Sequence, residues 1–450
     1  MKSEATAPPY VTFNFAAGLI HGIFFSAGMA FSAPLSVLPV FLNHFTGSQA
    51  LIGVFSALMN AGGVIPQLFV ASKLECKPRK KPVLLVAIWV RAAIWLILGL
   101  LAYWCPPDSS AIVLVALLVL LFGFSFSGGV ATIPFTDMWG KALPPTIRGR
   151  FFGHRQLWGG LLAIGAGYVV KRVLGNADIP FPRNYAILFL LSFAFIAVSY
   201  IALSSLREPP SNTTGRSHPL GVFVRKAVPI LWRDRNFGLL ILTQLAMGFA
   251  AFSMPFYVLY GKNQLHMAAE EVGLLVGAQM TGAVVSNLLW AHLSDRVGNR
   301  IVIILTAAIA ATIPLLALLS SGLGWRLLIV VFMLIGFSTS GGGIGFMNYL
   351  LEIAPGHLRP TYIALQGTSL GLTIALPILG GALIDVCSYH AAFLVTLGAL
   401  IVGLLLSLRL KPLRKKPAGD TDATSTAQVG RPALAGSHKM KETQCPPEPR

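Results

Sequence analysis

Charge is scarce in this chain. Only 11% of its 450 residues are Asp, Glu, Lys or Arg, while 55% are hydrophobic; a soluble domain carries roughly a quarter charged residues. A water-soluble fold cannot cover so much apolar surface, so that class is excluded. Acids are scarcer than bases, 16 against 34, for a net charge of +18. The four cysteines, Cys76, Cys105, Cys387 and Cys445, are too few and too scattered for a disulfide framework. Metal-ligand spacings are also missing, as are a G-x-x-x-x-G-K-[ST] phosphate loop and a nucleophile elbow. No cofactor, no metal and no enzymatic activity are therefore expected.

What the chain has in abundance is long apolar runs. A helix needs about 20 apolar residues to cross a bilayer, and twelve runs qualify. They lie near 12–42, 49–72, 83–104, 111–136, 152–173, 185–206, 237–260, 271–293, 301–320, 326–350, 362–384 and 391–409. Backbone groups in lipid must be satisfied within the segment, so these are expected to be helices rather than barrel strands. The first run is too long for a cleaved leader and reads as a retained anchor. The Lys and Arg residues crowd into alternate loops, which places both termini in the cytoplasm. The basic excess thus reports topology in a cell (inner) membrane, and no nucleic-acid partner is expected. Cys105 and Cys387 fall on the outer side, in loops of opposite halves.

The runs form a duplication. Gly336 to Gly342 reads G-F-S-T-S-G-G, and Gly123 to Gly129 reads G-F-S-F-S-G-G. Each stretch is followed by an acid (Glu352, Asp137), a proline (Pro355, Pro144) and an arginine (Arg359, Arg148). A-F-S-A-P at 30–34 returns as A-F-S-M-P at 251–255. Six spans followed by six, both sets starting on the same side, make a parallel repeat about an axis along the membrane normal. The expected organisation is an N-terminal six-helix bundle over 1–206, a cytoplasmic loop over 207–236, a C-terminal six-helix bundle over 237–410 and a basic disordered tail over 411–450.

W-A-H-L-S-D-R-V-G-N-R at 290–300 resembles the loop signature between spans two and three, and eight and nine, of the major facilitator superfamily. Y-L-L-E-I-A-P-G-H-L-R at 349–359 is similar to that superfamily's loop after span ten, in its sugar-porter form. The resemblance covers residues 12–410 and implies an all-α membrane protein whose spans one, four, seven and ten line a central cavity. The chain departs from the pattern at Trp290, where the family has glycine. It departs again in the first-half loop, which keeps Glu75 and its basic cluster but little else.

Two groups of residues carry the expected chemistry. Asp137 and Glu352, near the ends of their spans, oppose the helix macrodipole by about 0.3–1 kcal/mol and call for cations; Arg148, Arg359, Lys80, Arg296 and Arg300 are the candidates. The resemblance implies that Glu75 and Asp295 contact the neighbouring bundle. Together these charges form an expected conformational gate. For cargo or coupling, His21 titrates in water near about 6.5, and Arg91 sits within a span where a guanidinium costs about 2.5–3.5 kcal/mol. Ser32, Asn60, Ser127, Gln244, Ser253, Gln279 and Ser340 are the remaining polar candidates. The expected function is secondary active transport of a small solute by alternating access, gradient-driven and with proton coupling, in a monomer. The alternative is a transporter-like sensor, assembly protein or lipid mover without small-solute flux.

Overall fold

A computed structural model describes residues 10–74, 79–104, 110–208, 229–355 and 358–412. Glu75, Cys105, most of the central loop and the tail from 413 onward lie outside the described residues. The described residues are helical, and twelve helices are long and apolar enough to span a membrane. We number them as spans 1 to 12: Val11–Phe31, Gln49–Gln67, Lys81–Trp104, Ile112–Ala142, Thr146–Leu174, Arg183–Ser205, Arg235–Asn263, Ala269–Arg296, Asn299–Leu323, Leu327–Ile353, Thr361–Val386 and Tyr389–Leu408. Their outer faces present large apolar side chains, Ile112 at 80% and Leu288 at 71% exposure among them. Water would not tolerate such a surface, whereas a lipid phase does. The chain is a multi-pass integral membrane protein.

Two bundles of six are assembled by the same set of pairings. Span 1 packs on 5 and 6, span 2 on 4, and span 3 on 4 and 6. Adding six to each number gives the second bundle: 7 on 11 and 12, 8 on 10, and 9 on 10 and 12. Between the bundles the extensive crossings are 5 with 8 and 2 with 11, which exchange under the same shift. The repeat legible in the sequence is therefore a structural pseudo-symmetry.

Prolines break the helices where the duplicated A-F-S-x-P motif falls. Span 1 stops at Phe31 and resumes as a short helix, Val37–Asn43, past Pro34. Span 7 is interrupted before Pro255 and resumes at Phe256–Asn263. A proline has no amide hydrogen to continue the ladder, and its ring crowds the preceding turn. The two resumed segments then pack against each other across the bundle boundary. Span 7 begins under an Asp234 cap, whose carboxylate accepts from the amides of Asn236 and Phe237, both at 3.1 Å.

The bundle crossings are backbone-close, and glycine makes them so. A Cβ on Gly53 would meet the carbonyl of Pro377, and one on Gly381 the carbonyl of Gln49, joining spans 2 and 11. A Cβ on Gly273 would meet Lys171 and Gly167 backbone atoms at the crossing of 5 and 8. Small residues at helix contacts allow this approach in lipid, where apolar burial alone gives no drive for association. Trp290 is explained by the same logic: its indole donates to the Phe337 carbonyl at 3.0 Å and occupies the room that Gly341 leaves.

Gly53→Val and Gly273→Val should therefore force the bundles apart at these crossings while leaving each bundle intact. The expected result is faster labelling, by about ten-fold or more (1.4 kcal/mol per ten-fold), of a cysteine placed at Ser56 in a cysteine-free background. The measurement is reaction with a membrane-impermeant thiol reagent, and unchanged labelling would reject the packing role.

Candidate functional site

Two cavities within the membrane-spanning region are lined by candidate residues and lie inside or between the bundles. The first, about 170 Å³, is formed by the N-terminal bundle and lined by His21 of span 1, Arg91 of span 3, Phe135 of span 4, Arg155 of span 5 and Tyr200 of span 6, among others. His21, Arg91 and Arg155 each lie about ten residues into their helices. At about 1.5 Å rise per residue each lies roughly 15 Å along its helix from the basic end. Arg91 is therefore not the single charge well inside a span: the helix of span 5 begins at Pro145 rather than near 152, so Arg155 lies as far along its helix as Arg91 does.

The His21 ring is 3% exposed and its tautomer is set by its partner. The Ser199 hydroxyl donates to the His21 carbonyl at 2.8 Å, so at the 2.6 Å contact between His21 Nδ1 and Ser199 Oγ the ring must be the donor. Nε2 then carries the lone pair. Arg91 lies over the rings of Phe124, at 4.3 Å, and Phe25, at 5.6 Å; Arg155 lies over Phe135 at 5.4 Å. A cation–π contact returns about 0.5–2 kcal/mol, less than the roughly 2.5–3.5 kcal/mol that a guanidinium costs at mid-membrane. Arg91 has two such faces and Arg155 one, so the aromatic rings offset a larger share of the cost at Arg91 than at Arg155. Arg91 Nε and the Tyr200 hydroxyl are buried without a hydrogen-bond partner, and neither arginine forms an ion pair among the described residues.

The second cavity, about 180 Å³, lies between the bundles, walled by the breaks at Pro34 and Pro255, by Pro377 and by Ser56 and Asn60 of span 2. It is largely apolar. The other polar candidates serve the helices. Ser32 contacts the Met29 carbonyl at 3.5 Å, and Ser127 donates back to Gly123 and Phe124 carbonyls at 2.8 and 3.0 Å. Ser253 joins Thr396 of span 12 at 2.6 Å, and Ser340 reaches the Ala283 carbonyl of span 8 at 3.4 Å. Gln244 accepts from Gln366 at 2.9 Å, tying span 7 to 11. Gln279 contributes its carbonyl to the close contact with Gly336.

One end of the molecule, here the basic end, gathers the expected gate charges. Asp137 pairs with Lys80 at 3.0 Å and Lys141 at 2.5 Å; Lys141 also reaches Glu208 at 3.4 Å. Glu208 in turn accepts from the amides of Lys80 and Lys81 and so caps span 3. Arg148 folds back onto the Leu143 and Gly140 carbonyls, capping the C-terminus of span 4 rather than meeting Asp137. In the second bundle Glu352 accepts from Asn299 at 2.8 Å, and Asn299 accepts from Ser294 at 2.6 Å. Arg300 donates to the Leu408 carbonyl at 2.8 Å. Asp295, Arg296 and Arg359 are exposed. Every one of these bonds stays inside its own bundle.

The far end, which sequence reading passed over, joins the bundles. Asp385 of span 11 accepts from Ser48 Oγ at 2.9 Å and from the amides of Gln49 and Ala50 at 2.8 and 2.9 Å, at the start of span 2. Lys171 pairs with Glu271 at 3.1 Å. Asn43 donates to Asn263 at 3.3 Å, and Lys262 donates to His44 Nε2 at 3.2 Å. His44 also contacts the Val40 carbonyl at 2.8 Å and stacks on Phe181 at 4.2 Å. Among the described residues, every hydrogen bond and ion pair between the bundles lies at this end. The available signal was the lone acid Asp385 beside a span end, and the cations Lys171 and Lys262 in otherwise apolar stretches.

Fold and hydropathy together define a class: a twelve-span, two-bundle integral membrane protein. The Major Facilitator Superfamily model matches residues 254–439. That match lies in the C-terminal half, and the family it describes is one of membrane transport. An uncharacterized protein of Mycobacterium tuberculosis is 23% identical over 448 residues, 95% of this chain and 83% of that one. Solute carrier family 2, facilitated glucose transporter member 12, of Homo sapiens is 33% identical over 105 residues, 23% of this chain and 17% of that one. Among solved structures, a mutant of the nucleoside transporter NupG matches with TM-score 0.66 at 14% identity, covering 88% of this chain and 99% of NupG. A bacterial homologue of the iron transporter ferroportin, in an inward-facing state, matches with TM-score 0.64 at 14% identity over 88% and 98%.

Two outcomes follow from these networks. Asp137→Asn strips Lys80 and Lys141 of their carboxylate and should lower stability by about 1–3 kcal/mol, the range of a charged hydrogen bond, measured as thermal unfolding in detergent; an unshifted transition would reject the pairing. At the far end, desolvation against Phe181 first and the Lys262 cation second lower the His44 pKa to about 4. A far end that opens returns the ring toward about 6.5, so between those values the open form binds more protons and acid favours opening. Lowering the pH from 7 to 5 should raise far-end accessibility, and His44→Phe should abolish that dependence.

Proposed function

We propose that this protein carries a small solute across the membrane by alternating access, driven by a proton or solute gradient, and that the described state is closed at the far end and open at the basic end. The single observation that carries the reading is the one-sided placement of the interbundle bonds. A carrier must hold its bundles together at one end while it exchanges solute at the other. Under the positive-inside rule the basic end is cytoplasmic, with both termini there, and the far end faces outward in the cell membrane. The state is then inward-facing, the word that also describes the ferroportin homologue.

On this reading the boundaries fall at 206, 236 and 410, and the monomer is the working unit. The basic-end charges act as the second latch. Asp137 and Glu352 are engaged within their own bundles in this state. When the far end opens, the exposed Asp295, Arg296 and Arg359 come within reach of the opposite bundle, with Glu75, Arg148 and Arg300. The two networks cannot both be satisfied across the boundary, which makes the carrier bistable.

Asp385 is the test of the far latch. A carboxylate on a helix N-terminus is worth about 0.3–1 kcal/mol and up to about 2 when partly buried, a bias of up to roughly thirty-fold in a two-state equilibrium. Asp385→Ala should shift the resting population to the far-open form, read as spectroscopic distance between labels on spans 2 and 11. It should also lower solute exchange in proteoliposomes. Unchanged distances and exchange would sink the latch; saturable solute binding without any flux in the native protein would favour a sensor.

A further inference from the structure

We infer that the cavity of the N-terminal bundle is a binding site for a compact organic carboxylate, held between Arg91 and Arg155 with its apolar body against the Phe25, Phe135 and Tyr200 rings. The inference deepens the transport reading and rests on it for its role, but the site itself stands on its own geometry.

The chemistry of the lining is one-sided. Two guanidiniums line one space, and an arginine stays charged at any physiological pH. No carboxylate lines the cavity, and among the described residues no ion pair is made to either arginine. Both guanidiniums are half-buried and unpaired on that space, so they offer positive charge to whatever enters it. An anion from outside the chain supplies the matching charge.

The polar groups are also unspent. Arg91 Nε is buried without a partner, and so is the hydroxyl of Tyr200, a residue only 1% exposed. Donors therefore converge on the space, while His21, its Nδ1 committed to Ser199, contributes Nε2 as an acceptor. The chain has been relieved of side chains to make room. A Cβ on Gly128 would press on the Arg91 guanidinium at 3.2 Å, and one on Gly22 would strike the Arg155 stem. Gly128 belongs to the duplicated G-F-S-F-S-G-G stretch, so part of that motif serves this site.

The rest of the lining selects the ligand's body. Phe25, Phe135, Tyr200, Leu84, Ile88 and Leu203 are apolar, and a cavity of about 170 Å³ admits one small ring or branched chain. Planar carboxylates suit bidentate guanidinium contacts. A heavily hydrated tetrahedral phosphate would leave most of its oxygens against hydrocarbon.

The experiment is a thermal-shift and calorimetric titration of the purified full-length chain with benzoate, with its neutral isostere benzamide, and with inorganic phosphate. Benzoate should stabilise saturably and benzamide should not. Arg91→Gln and Arg155→Gln should each weaken benzoate at least ten-fold, with an unchanged elution profile and helical signal, and Arg91→Lys should recover part of the loss. The comparison of benzoate with benzamide on the native chain needs no variant and guards against unfolding of the mutants. Equal effects of the two, arginine variants that bind benzoate normally, or stabilisation by phosphate alone would each overturn the assignment. Benzoate binding with no solute flux would reject the transport reading and leave the site standing. Flux of a neutral solute without benzoate binding would reject only the site.

Discussion

The architecture depends on a carboxylate set against the start of a helix from the other bundle. Asp385 satisfies the first amides of span 2 together with the Ser48 hydroxyl. Those amides have no partner within their own helix, and at the edge of a membrane they need one. By taking that partner from span 11, the fold converts a local requirement of one helix into a joint between halves. Glycines on both sides of the joint let the backbones close, since Gly53 meets Pro377 and Gly381 meets Gln49. The joint combines these polar contacts with close backbone packing.

The other consequence of the bundle arrangement is the fate of charge. At the basic end, Lys80, Asp137, Lys141 and Glu208 neutralise one another within a single bundle and at the same time cap the helices they border. Farther along the helices, Arg91 and Arg155 have aromatic faces beside them and no acid. The contrast is physical. Near the ends, water and opposite charges are both available, so an ion pair is a modest and reversible contact. Inside the bundle no acid is at hand, and the two guanidiniums rest against aromatic rings instead.

Much of this was legible in the linear chain. Span number and the repeat of six followed from apolar run length and from the duplicated motifs. The presence of Lys80 beside Asp137 was within the expected set of partners. The identity of the other partners was not: Arg148 turned to its own backbone, and Glu352 found the neutral Asn299. A helix end offers several unsatisfied carbonyls, and a long cationic side chain settles on them as readily as on a carboxylate. Arg155 escaped notice because the start of a membrane helix is poorly marked in sequence when its first turns are polar.

The sequence by itself determined the solvent this protein lives in and the duplicated plan of its halves, because hydrophobic run length and repeated motifs are properties of the chain alone. Only the tertiary structure decided which end is joined and which charges are left over. Those outcomes depend on helices distant in sequence, span 2 with 11, span 5 with 8, and spans 1, 3 and 5 around one cavity. Side-chain spacing along a helix says nothing about which other helix it will meet, so the site at Arg91 and Arg155 exists only once the bundle is packed.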